Sequence, residues 1–250
     1  MLNLPARGLS AASLLTAWEK GWRQTPTEQA LAMLAAAYPE VPAPRLAELS
    51  IGRRDSCLIA LRAGTFGPHI EGETACPRCA ERLELEFETE DVRADPPQTD
   101  GGQDALSVSV PGWKAVFRLP TSLDLQAAQS AEPSDIRGNL LRRCVTDLRR
   151  GGERETVDKM PEELVEAIGE RMERADPQAE VRLNLVCPSC GQEWSMLFDI
   201  AQFFWGEINA RAYRLLYEVH RLASAYGWSE ADILALSPWR RQAYLEMVSG

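Results

Sequence analysis

Two short cysteine motifs, Cys76-Pro77-Arg78-Cys79 and Cys187-Pro188-Ser189-Cys190-Gly191, stand far apart in the chain and share one pattern. In such a knuckle the proline shapes a tight turn that aims both sulfurs at one point, and Gly191 allows a backbone conformation that other residues resist. The four thiols read as two halves of one tetrahedral zinc site, which would clamp together segments that a long insertion separates. Four thiolates leave zinc no position for water or substrate, so such a site is structural rather than catalytic.

The sequence around each knuckle alternates apolar and polar residues with period two, over 82–87 after the first and over 181–186 and 193–198 around the second. Each half is therefore expected to form a hairpin tipped by its cysteines, as in a zinc ribbon. The competing readings are two unrelated reduced CxxC motifs or a disulfide-exchange motif. The latter belongs between a strand and a helix, whereas strand-like sequence surrounds these cysteines. Cys57 and Cys144 lie in helical, apolar contexts and read as small core residues.

The rest of the chain frames the ribbon with helices. Ser10 caps a first helix bearing Leu14, Leu15, Trp18 and Trp22, and Thr27 a second bearing Leu31, Leu34 and Ala35; Pro39 to Pro44 then break the pattern before a third helical stretch through Arg53, Leu58, Ile59 and Leu61. Between the knuckles, 95–103 reads as a flexible Pro/Gly/Asp loop, 105–110 and 114–119 as strands turning at Pro111-Gly112, and Ser122 as the start of a helix through Ala128. Two further helices are predicted over 134–149 and 161–174, the second with Pro161 in its first turn and Glu162 and Glu163 near its positive end. From Ile200, the positions Phe204, Ile208, Leu215, Val219 and Leu222 describe a long amphipathic helix closed by Gly227. Ser229 and Asp232 then open a short helix over 233–236, and Ser237-Pro238 the terminal one. The fold class is α+β: zinc-ribbon-like hairpins with a long mixed insertion, flanked by helical regions. The expected division is a helical region at 1–70, the ribbon at 71–200 with its insertion at about 95–180, and a helical tail at 201–250.

Charge and residue inventory exclude several functions. A net charge of −10 opposes general nucleic-acid binding, which needs a positive surface. Arg142, Arg143, Arg149 and Arg150 cluster on one predicted helix, where a solvated, ion-paired face is the simpler reading. Only His69 and His220 are present, leaving few candidates for acid–base catalysis. His69 lies near the first knuckle, where four cysteines already complete the site, and His220 falls on the long helix as a surface or packed residue. No phosphate-binding glycine loop is present, and Glu84, Glu86, Glu88 and Glu90 mark the exposed face of a strand. No enzyme is expected. The N-terminal sequence lacks a charged segment followed by an apolar run, and no stretch is long and apolar enough to span a bilayer, so cytoplasmic synthesis without a membrane partner is expected.

The tail, Tyr226-Gly227-Trp228-Ser229-Glu230-Ala231-Asp232-Ile233-Leu234-Ala235-Leu236-Ser237-Pro238-Trp239-Arg240-Arg241 ending Tyr244-Leu245-Glu246, resembles the C-terminal signature of a phage baseplate protein family of contractile tails and contractile injection systems. The stretch from Phe198 to His220, the CPxC knuckles and Phe117-Arg118-Leu119-Pro120-Thr121 share the likeness. The resemblance implies a non-enzymatic baseplate part with hub, wedge or spike proteins as partners, present in multiple copies of a symmetric assembly, or else a factor that builds the baseplate and leaves it. A zinc-ribbon module binding nucleic acid or a regulatory protein is the reading from a different class. Trp228, Trp239, Arg240, Arg241 and Tyr244 are candidate partner contacts, being of residue types enriched at interface hot spots.

Overall fold

The computed structural model describes residues 7–94, 105–129 and 135–249. The loop expected at 95–103, the first expected residue of the helix at 134, and residues 1–6 lie outside them.

The N-terminal region is helical for local reasons. α1 (Ala11–Gly21) begins where the Ser10 hydroxyl accepts the Ser13 N–H at 3.1 Å. α2 (Pro26–Ala37) is capped by Thr25 and not by Thr27. The Thr25 hydroxyl accepts the Glu28 N–H while the Glu28 carboxylate accepts the Thr25 N–H at 2.9 Å, a reciprocal box, and Pro26 fills the first helical position, where a missing N–H costs nothing. Thr27 is buried inside the helix. Within the proline-rich break a short α3 (Ala43–Ala47) forms, because proline is tolerated in a first turn. α4 (Ile51–Phe66) follows, capped by Ser50.

These helices pack on α8 (Ile200–Tyr226), which ends at Gly227 in the left-handed conformation, φ 68°. Leu14, Leu15, Met33, Leu34, Leu58, Leu61, Phe204, Ile208 and Leu215 form one core, joined by Ile70 and Val92. Arg62 on α4 donates to the Glu207 carboxylate on α8 at 2.6 Å while its other nitrogen serves the carbonyls of Gly67 and His69. This buried ion pair has its remaining donors satisfied, as burial of a guanidinium requires.

The insertion builds a second core. β3 (Leu106–Val110), β4 (Trp113–Phe117), β5 (Val145–Arg150) and β6 (Glu153–Arg154) form an antiparallel sheet in that order. α7 (Glu162–Ala175) covers it, with Leu164 and Ile168 against Leu106, Ala115, Phe117 and Leu148. α5 (Ser122–Gln129) and α6 (Ile136–Cys144) connect the hairpin to β5. The helix expected through residue 149 therefore stops at Cys144: β-branched Val145 and Thr146 enter the strand that pairs with β4, and sheet pairing overrides the helical spacing of the leucines. The four arginines are consequently not on one helix. Arg142 pairs with Asp135 and Asp158, Arg143 with Asp124 and Arg149 with Asp147, and Arg150 lies 5.3 Å over the Trp113 ring.

Between the two cores lie the ribbon halves in sequence, β1 (His69–Ala75) paired with β2 (Arg82–Glu88) and β7 (Arg182–Val186) paired with β8 (Glu193–Leu197). The mixed α+β class, with helical regions flanking cysteine-tipped hairpins, is the one expected. The tail closes with α9 (Glu230–Ala235), three residues earlier than predicted because Ser229 caps it through the Asp232 N–H at 3.2 Å, and α10 (Pro238–Ser249).

Candidate metal centre

Both knuckles make the same turn. Cys76 N–H donates to the Glu81 carbonyl and Cys187 N–H to the Gln192 carbonyl; Ala80 and Gly191 donate back to the carbonyls of Cys76 and Cys187, all at 2.9 Å. The residue after each second cysteine is left-handed, with φ 59° at Ala80 and 68° at Gly191. The second knuckle fills this position with glycine, as its sequence suggested. The first uses alanine, so the sequence carried no sign of the conformation there.

The turns bring the four sulfurs together. All lie within 4.8 Å of one another, with Cys76 and Cys190 at 3.7 Å and Cys79 and Cys187 at 3.6 Å across the two hairpins. A tetrahedral ion with ~2.3 Å bonds to sulfur separates its ligands by about 3.8 Å, so the cluster matches one four-coordinate site. Cys76 and Cys187 are buried, Cys190 is half-buried and Cys79 is exposed.

The electrostatics suit a divalent cation. Burial alone would raise Cys76, but the N–H groups of Cys79 and Arg78, the latter 3.4 Å from its sulfur, and the neighbouring thiols outweigh it and bring the Cys76 thiol down to about 7. Cys79 accepts a backbone hydrogen bond linked to Glu81 that favours its thiolate, yet Cys190, burial, Cys187 and Cys76 together push it up to about 12. One thiolate is thus easily formed and the next resisted, because negative charges would gather on one point. A metal ion removes that repulsion and takes the cluster fully deprotonated.

A family model described as T4 bacteriophage base plate protein matches residues 12–205. The chain belongs to that baseplate protein family. No curated protein and no solved structure matches it. The matched residues include both knuckles, the second core and most of the first, whose Ile208, Ala212 and Leu215 on α8 lie past the match; the tail run 226–246, which carried the resemblance in sequence, also lies beyond it. As a member of a structural family, this baseplate protein is not an enzyme.

The other candidates of the baseplate protein fall in different places. His69 sits at the far end of β1 from the knuckle, 3.1 Å from Glu88 and 3.4 Å from Glu71, apart from the sulfur cluster. His220 is exposed on α8. Cys57 and Cys144 stand away from the cluster, and burial pushes each thiol up to about 11. Trp228 stacks on Tyr226 at 4.7 Å and meets the edge of Tyr244 at 4.9 Å. Trp239 is 86% exposed and Arg240 is also exposed. Arg241 is only 2% exposed: it donates to Glu218 at 2.9 Å and to the Leu236 carbonyl, so it holds α10 on α8 and its guanidinium is committed within the chain. Among the described residues no helix is long and apolar enough to cross a membrane.

Proposed function

We propose that this baseplate protein is a non-enzymatic adaptor of a contractile phage-tail-like particle, stiffened by one zinc ion on Cys76, Cys79, Cys187 and Cys190, and docking on neighbouring hub, wedge or spike proteins through its C-terminal helices. The observation that carries the reading is the convergence of four thiols from knuckles on opposite sides of the insertion. Bound there, zinc would supply a closed tetrahedral crosslink with no open coordination position. The cysteine side chains hold it, and the matched turns pre-organise them. The exposure of Trp239 beside Arg240 supports the docking surface, with Trp228 and Tyr244 as its aromatic base. The division at about residues 70 and 200 is then one of role rather than of packing, because the first core crosses it.

The deciding experiment is quantitative mass spectrometry on intact purified particles, counting this chain against sheath and spike proteins, with the zinc content of the isolated chain measured alongside. A fixed ratio to the spike is expected. Absence from mature particles that fail to assemble without the chain would make it an assembly factor, and absence with normal assembly would remove the baseplate role altogether.

A further inference from the structure

Among the described residues each ribbon half is a sheet of only two strands, which leaves β2 an unpaired edge. On the first hairpin, Thr89 N–H donates to the Pro68 carbonyl and Cys76 N–H to the Glu81 carbonyl. Antiparallel pairs alternate between bonded and non-bonded, so with this register the bonded positions of β2 are Leu83, Leu85 and Phe87. The N–H and C=O groups of Arg82, Glu84, Glu86 and Glu88 point away from β1. Those of Glu88 are taken up by Asp91, whose carboxylate accepts the Glu88 N–H and whose N–H donates to the Glu88 carbonyl. Arg82, Glu84 and Glu86 face outward, with no third strand beside them among the described residues.

That edge borders a cleft. A space of about 730 Å³ lies between the hairpins, lined by Leu83 and Leu85 of β2 and by Leu185 and Val186 of β7, with Pro188 of the second knuckle at one end. Leu83, Leu85 and Leu185 are half-buried, while Val186, at 59%, and Pro188 are exposed. The opposite face of β2 is acidic: Glu84 stands directly across from Glu73 and Glu86 from Glu71. Like charges in that position destabilise a sheet; Glu73 pairs with Arg82 and Glu71 lies 3.4 Å from His69, whereas among the described residues Glu84 and Glu86 have no basic partner.

We propose that the β2 edge receives one extended segment of a partner protein, which adds as a strand and carries apolar side chains toward Leu83, Leu85 and Leu185 and basic side chains toward Glu84 and Glu86. Main-chain pairing would satisfy the outward groups, the apolar set would fill the cleft, and lysine or arginine on the other face would relieve the glutamate pairs. This surface is separate from the tail contact proposed above and stands or falls without it; it requires only that the hairpins keep the arrangement the cysteines give them.

The test uses the zinc-loaded full chain and a synthetic peptide of about nine residues alternating lysine with valine or leucine, capped at both ends. Binding is expected to slow amide exchange at Arg82, Glu84 and Glu86 by roughly tenfold or more at ~1 mM peptide, while Leu83, already bonded to β1, changes little. Glu84→Pro removes an outward N–H without touching a β1 bond, a substitution that edge strands tolerate, and should weaken binding by about tenfold, whereas Glu84→Gln, which loses the same charge, should weaken it by less than about threefold. Two peptides with N-methyl groups on alternate residues, in the two possible sets, leave the protein untouched; strand addition requires that they bind unequally. Absence of protection, equal effects of the two Glu84 variants, or equal binding of the two methylated peptides would overturn the proposal, the last two by showing attachment through charge alone.

Discussion

The two knuckles differ in one respect that stability measurements should expose. Ala80 holds φ 59° where its counterpart Gly191 holds 68°. The left-handed conformation costs a residue with a Cβ roughly 1–2 kcal/mol, whereas glycine adopts it freely but loses more chain entropy on folding, by about 0.5–1 kcal/mol. Ala80→Gly should therefore stabilise the protein by about 0.5–1 kcal/mol, raising Tm by about 2 °C in a chain of this size. Gly191→Ala should cost a similar amount, and that cost is of the backbone alone, because a Cβ built at Gly191 meets nothing within 4 Å. Urea denaturation of the zinc-loaded variants at neutral pH, followed by far-ultraviolet circular dichroism with metal content checked in each sample, measures both. A destabilising Ala80→Gly together with a neutral Gly191→Ala would refute the matched-turn account.

Cys79→Ser and Cys187→Ser, on different hairpins, should each abolish stoichiometric zinc in metal analysis; unchanged zinc in both would mean that the knuckles do not share an ion. Asp124 is fully buried and accepts from Arg118, Arg143 and Thr121, contacts that outweigh burial and hold its carboxyl well below the ordinary range. Its contribution is present above the ordinary carboxylate range and lost only in strong acid, so Asp124→Ala should cost about 3 kcal/mol at neutral pH by urea denaturation, the half-exposed arginines recovering part of the loss in water. Asp55 runs the other way: burial, opposed by its contact with Arg54 at 2.7 Å, pushes it up to about 6 from 3.8. The native state then keeps a proton that the unfolded chain releases, so this group's contribution to stability falls by about 3 kcal/mol as pH rises from about 4 to 6 and is level above; the carboxyl carbon shift of residue 55 should titrate with its midpoint near the upper limit. Trp239→Ala should leave stability within about 0.5 kcal/mol, whereas Arg241→Ala should cost about 2 kcal/mol by removing the buried one of Glu218's two arginine partners, Arg211 remaining at 3.0 Å, both read from urea curves.

The hairpins were legible because a half-buried strand writes its two faces into alternate residues, and 82–87 and 181–186 do so cleanly. β1 did not show itself: His-Ile-Glu-Gly-Glu-Thr-Ala has one large apolar residue, and only Ile70 reaches the core. The cap of α2 was present as Thr25-Pro26-Thr27-Glu28, where two threonines compete and the glutamate three residues on decides for the first. At Cys144 the β-branched Val145-Thr146 pair is too short a signal to mark the change from helix to strand, because the deciding interaction is the register with β4. The buried charges were equally hidden. Arg62 and Glu207 are 145 positions apart, and Arg241 looked like its exposed neighbour Arg240 until Glu218 stood beside it.

The burial of the ribbon says what the proposed zinc ion would contribute. Near their bases the hairpins lean on the first core through Phe87, Val181, Leu183 and Phe198. Toward the knuckles, Leu83, Leu85, Leu185, Trp194 and Met196 join neither core and remain half-buried. A two-stranded hairpin is marginal in water without a packed face, so under the proposed zinc reading the ion on the cysteines supplies the stability missing at the tips. Removing the ion should then act locally: the helices on α8 keep their own core and their circular dichroism, while amides from Leu83 to Cys79 and from Leu185 to Trp194 lose exchange protection. The cleft lies between those same tips, so a site for a partner strand would exist only in the metal-loaded state, and zinc loading would set when the β2 edge becomes competent to bind.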